Sequence, residues 1–117
     1  MIAYEGVGGL KVAKCNDSAC SGGDETISIV DNSAGHGNSI AIGADGLPVI
    51  SYTDATAGTL KVAKCNDPAC SGGNEAITAV DASGDVTSIA IGADGFPIVT
   101  YLDSDSDELW IVKAPAP

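Results

Sequence analysis

The sequence contains no arginine and a single histidine, His36. Without arginine there is no bidentate clamp for carboxylate or phosphate groups. The five basic residues, Lys11, Lys14, Lys61, Lys64 and Lys113, stand against 16 acidic ones, giving a net charge of −11. Such a surface repels phosphate backbones and anionic headgroups, which argues against nucleic acid and anionic membranes as partners. Aromatic residues are scarce as well: Trp110, Phe96, Tyr4, Tyr52 and Tyr101. No apolar run is long enough to span a bilayer. Helix-forming runs are hard to find, because Gly and Asp punctuate the chain every few residues. Met1-Ile2-Ala3-Tyr4 carries neither the basic n-region nor the apolar h-region of a secretory signal.

What is present is repetition. LKVAKC occupies residues 10–15 and again 60–65, a separation of 60 − 10 = 50. SIAIGADG occupies residues 39–46 and again 88–95, a separation of 88 − 39 = 49. A period of this size is read before any local feature, because it marks arrays of supersecondary units. The stretch 39–70, SIAIGADGLPVISYTDATAGTLKVAKCNDPAC, contains most of one unit.

Ile40 and Ile42 alternate with Ala41 and Gly43, which gives a strand one large and one small face. Ala44-Asp45-Gly46 is a hairpin turn, since Asp tolerates and Gly readily adopts positive φ. A second strand follows over residues 47–53, with Pro48 at its start because it cannot donate to a ladder. Asp54 opens the next turn, residues 59–64 form a third strand and residues 76–80 a fourth. The preceding partial unit offers strands at residues 1–4, 10–15 and 26–30, then a loop over 31–38. The following one repeats the first two strands, at 89–92 and 96–101, and then drifts, with a third strand near residues 109–114. Three strands, then four, then three make ten. The expected fold class is all-β, in one repeat domain over residues 1–117: a partial unit at 1–38, a full unit at 39–87 and a partial unit at 88–117. The apolar set is mostly Ala, Val and Ile, which suits closely stacked sheets.

The four cysteines form two C-x4-C pairs, Cys15/Cys20 and Cys65/Cys70. One zinc ion held by all four thiolates and two local disulfides are both open readings. Equivalent places in successive repeats are displaced from one another rather than convergent, so the disulfides Cys15–Cys20 and Cys65–Cys70 are the expectation. They imply an extracellular or periplasmic setting.

The unit with GADGLPVISYTDATAGTLKVAKC at its heart resembles the blades of bacterial, secreted β-propeller proteins. The resemblance covers nearly the whole chain and implies blades of four antiparallel strands, about two and a half per chain. It carries over no catalytic residue, because propellers host both binding modules and enzymes. A ring of blades is closed, so an incomplete set implies self-association of chains to complete it, or a longer array. A trefoil would want three complete copies, β-helices have shorter periods, and an immunoglobulin-like sandwich needs no near-identical halves.

The candidate sites are few, and each has a plain structural reading. His36 reads as a solvated loop residue before it reads as a ligand. Asp103, Asp105 and Asp107 alternate along an acidic turn and could present oxygens to Ca²⁺. The Gly and distant Glu of an EF-hand are not in place, so a solvated turn is preferred. Asp45, Asp94, Asp54 and Asp103 recur with the repeat, and turn chemistry accounts for them before glycoside hydrolysis does. Tyr52, Tyr101 and Trp110 are the first aromatics to test for ligand contact, with packing between units as the plainer reading. The functional expectation is a non-catalytic scaffold or recognition module, self-assembling and with a glycan or protein as ligand, without cofactor. The alternatives are a propeller fragment or engineered repeat whose property is assembly, and a hydrolase or lyase with a site in the central channel.

Overall fold

A computed structural model describes residues 2–6, 9–15, 23, 26–32, 36–54, 58–68, 70, 76–81, 85–103 and 108–113. Among them the chain is all-β, with ten strands in three antiparallel sheets. The first sheet holds β1 (Ile2–Gly6), β2 (Gly9–Lys14) and β3 (Thr26–Asp31). The middle sheet holds β4 (His36–Ile42), β5 (Pro48–Asp54), β6 (Thr59–Lys64) and β7 (Ala76–Asp81). The last holds β8 (Asp85–Ile91), β9 (Pro97–Asp103) and β10 (Glu108–Lys113). In each sheet the strands follow chain order as a meander, so every pairing is made by a local connection.

The turns between strands behave as their composition dictates. Gly46 and Gly95 adopt φ of 84° and 85°, and Asp45 and Asp94 close each turn by accepting the N–H of Leu47 and Phe96. Pro48 and Pro97 stand first in β5 and β9. Two strands start earlier than side-chain polarity suggests. Residues 31–38 read as a loop and residues 81–88 fall between expected strands, yet β4 begins at His36 and β8 at Asp85. A ladder needs only backbone N–H and C=O groups. The register slips between His36 and Ser39, and again between Asp85 and Ser88, so polar residues join through a bulge.

The sheets stack face to face, and the middle one is covered on both sides. Ile50, Tyr52 and Ala63 pack with Leu10, Val12 and Val30 of the first sheet. Val49, Leu60 and Val62, on the opposite face, pack with Ile89, Val99 and Tyr101 of the last. Every residue of β5 is therefore buried, polar ones included. At roughly 25 cal/mol per Å² of apolar area removed from water, these two cores are the main source of stability.

Cys65 and Cys70 form a disulfide across a sequence separation of 5, fully buried in the core between the first and middle sheets. Cys15 is disulfide-bonded too, while its expected partner Cys20 lies outside the described residues. With the sulfurs of Cys65 and Cys70 bonded to each other, a four-thiolate zinc site is excluded.

Candidate functional site

Polar side chains converge at the junctions between sheets and at the turns within them. Tyr52 is buried between the first and middle sheets, and its hydroxyl donates to Asp31 Oδ2 at 2.6 Å. Lys61 Nζ lies 2.8 Å from Asp54 Oδ2 and 4.0 Å from Asp31 Oδ2, so one ammonium bridges two carboxylates. Burial first, then the hydrogen bond to Asp31, pushes the Tyr52 hydroxyl well above its ordinary pKa. The bond to Asp54 holds the Lys61 ammonium above its ordinary value.

The next junction repeats this arrangement one unit along the chain. Tyr101 is buried and its hydroxyl donates to Asp81 Oδ2. Its pKa is pushed up to about 12, by burial first and then by Asp81. Asp31 ends β3 and Asp81 ends β7, so each tyrosine reaches back to the last strand of the preceding sheet. Trp110 stands where the first junction has Lys61, opposite Tyr101 in the ladder and partly exposed.

The turn aspartates are occupied as well. Lys64 Nζ lies 2.7 Å from Asp45 Oδ2, and Lys113 binds Asp94 in the same way. These contacts and the turn N–H groups lower the pKa of both carboxyls. A catalytic carboxylate pair needs one group free to carry a proton. Asp45 and Asp94 instead serve as ionised turn closers.

β4 runs alongside β8, and hydroxyls seam the two sheets there. Thr87 donates to the Gly37 carbonyl at 2.6 Å, and Ser39 accepts the Ile89 N–H at 3.2 Å. Since the single Thr87 hydrogen goes to Gly37, Ser51 is the donor in its 2.7 Å contact with Thr87. His36 Nδ1 sits 3.1 Å from Glu5 Oε1 on an exposed rim, in a strand rather than a loop.

The structure thus brings Tyr52 and Tyr101 into the sheet junctions, where their hydroxyls are committed to carboxylates, and leaves Trp110 partly open to solvent. Asp103 ends β9, while Asp105 and Asp107 lie outside the described residues. Among the described residues, no group of three or more His, Cys, Asp and Glu could hold a metal ion. Sequence reading missed the Tyr–Asp pairs, although a signal existed. Tyr52 and Tyr101 recur with the repeat, and so do Asp31 and Asp81. Comparison of the chain with protein-family models, with curated proteins and with solved structures finds no match.

Proposed function

We propose that the chain is a non-catalytic β-propeller module, a self-assembling scaffold and recognition surface made of blade repeats. Each sheet is one blade or part of one, and β4 and β8 are innermost strands lying side by side near an axis. The observation that carries this reading is the repetition of one junction. Tyr52–Asp31 and Tyr101–Asp81 join successive sheets through equivalent residues, as blades related by a constant rotation require.

Propellers close at about four to eight blades, so three sheets need further blades, and copies of the chain supply them. The repeated exposed loops suit a glycan or protein ligand bound at several weak sites. The buried Cys65–Cys70 disulfide favours an oxidising compartment, extracellular or periplasmic. Asp45 and Asp94 are engaged by lysines at the turns, so a channel hydrolase or lyase would draw its acid and base from other residues.

Native mass spectrometry with and without reductant tests the reading. A single oligomer with its disulfides intact is the expected result, and a stable monomer counts against it. A glycan array and pull-down on the oligomer then address the ligand.

A further inference from the structure

The outer faces of the two end sheets are the two halves of an interface that the molecule already builds twice. In the middle sheet, one face presents Ile50, Tyr52, Lys61, Ala63, Ile77 and Ala79; Ile50, Tyr52 and Ala63 pack on the first sheet, while Ile77 and Ala79 on β7 stay exposed. The equivalent residues of the first sheet are Ile2, Tyr4, Lys11, Ala13, Ile27 and Ile29. They share one face by register, the face turned away from the middle sheet. Five of the six residue types are unchanged, and the sixth replaces Ala79 by the more apolar Ile29.

The far face of the last sheet follows the same rule. The middle sheet covers Val49, Thr53, Leu60 and Val62 with its neighbour. Their equivalents in the last sheet are Ile98, Leu102, Leu109 and Ile111. Leu60 and Val62 are 0% and 6% exposed, whereas Leu109 and Ile111 are 77% and 69% exposed. Ser51 and Thr53 have become Thr100 and Leu102, so the open face is more apolar than the covered one it copies. A solvated face needs the opposite substitutions.

Resting on the self-assembly reading above, we infer that the β9–β10 face of one copy receives the β1–β3 face of a second copy. The contact is head to tail and carries the chain's own sheet-to-sheet operator across a molecular boundary. A heterologous contact of this kind closes into a ring when its rotation divides the circle. Packing like faces together would use a contact the protomer never makes.

Complementation tests the pairing. Ile2→Asp, at the equivalent of the fully buried Ile50, blocks the β1–β3 face and Ile111→Asp blocks the β9–β10 face, both at positions exposed in the protomer. Native mass spectrometry of the wild type gives one oligomer, each variant alone gives monomer, and the equimolar mixture gives a dimer with one copy of each. Circular dichroism establishes that each variant is folded. Should either fail to fold, cross-linking of wild-type chains in two isotopic forms replaces it, with Lys11 of one copy joined to Lys113 of another. A monomeric wild type overturns both this inference and the self-assembly reading. An oligomeric wild type whose variants remain oligomeric, or whose variant mixture stays monomeric, leaves self-assembly standing and overturns this pairing of faces. Absence of the Lys11–Lys113 link in the oligomer does the same.

Discussion

Replacing Tyr52 by Phe isolates the energetic worth of one sheet junction. The ring stays, so no cavity opens, and only the hydroxyl that donates to Asp31 at 2.6 Å is lost. The Asp31 side chain is 10% exposed, so water replaces the lost donor poorly. A hydrogen bond to a charged group contributes about 1.5–3 kcal/mol, which sets the expected loss near ~2 kcal/mol at neutral pH. For a domain of this length that is a fall in melting temperature on the order of 5–10 °C. The alkaline limb provides a second readout. Both buried tyrosines have pKa values raised above the ordinary 10.0, to about 12 for Tyr101. Above pH 10 the unfolded tyrosines ionise while the folded ones keep their protons, so the folded state binds more protons and stability falls as pH rises. Each contributes a slope of about 1.4 kcal/mol per pH unit, present until the folded hydroxyl itself ionises. Urea unfolding between neutral pH and pH 12 therefore finds Tyr52→Phe less stable at pH 7 but with a shallower alkaline decline. A neutral-pH loss below about 0.5 kcal/mol refutes the argument, because surface substitutions reach that size. So does a wild-type stability that stays flat from pH 10 to about 12, the interval over which Tyr101 must lose its contribution. A cycle with Asp31→Asn separates the pairwise energy from other effects of either substitution.

The repeat offers matched pairs of positions for the remaining tests. Leu60→Ala costs about 3 kcal/mol through lost burial and a residual cavity, whereas Leu109→Ala costs under ~0.5 kcal/mol when Ile2→Asp keeps the chain monomeric; equal losses in urea unfolding would contradict the assigned burial. Gly9→Ala brings a Cβ to 2.1 Å from the Asp31 carbonyl oxygen at φ +120°, while Gly46→Ala meets open space at φ +84°. The first therefore costs several kcal/mol and the second about 1–2 kcal/mol, from left-handed backbone alone, as paired melting curves will report. Reductant leaves Cys65–Cys70 intact in the folded protein, because both sulfurs are buried, and reduces it once urea unfolds the chain. Closing so short a loop contributes about 2 kcal/mol, measured by unfolding Cys65→Ala/Cys70→Ala beside the oxidised wild type.

Much of the fold was legible because the repeat encodes local rules. Asp-Gly turns, prolines at strand starts and alternating Ile and Ala specify hairpins from neighbours in sequence, and all are present at residues 40–48. The strand starts at His36 and Asp85 were hidden, because backbone pairing leaves no mark on side-chain polarity. The junctions were hidden for another reason. Tyr52 reaches Asp31 across 21 residues and a change of sheet, so the contact exists only once stacking is known. Lys64–Asp45 and Lys113–Asp94, each 19 residues apart, lie within one sheet and depend instead on which strand end meets which turn. Sequence predicts that such residues recur, but recurrence alone does not say which of them meet.

Leu60 and Leu109 are the same residue in the same strand position, yet one is sealed and the other open. The difference lies in whether a sheet stands beside them. In an array each unit contributes two complementary faces, and stability resides in the junctions as much as in the units. Tyr52 and Tyr101 show what a completed junction does to a side chain: the ring is buried, the hydroxyl is committed and its pKa is raised. Tyr4 holds the equivalent position on the outer face of the first sheet. When a second copy covers that face, the Tyr4 ring passes from half-buried to buried, and its absorbance comes to follow assembly. Tyr4 thus distinguishes a face that is merely apolar from one that is a junction awaiting its other half.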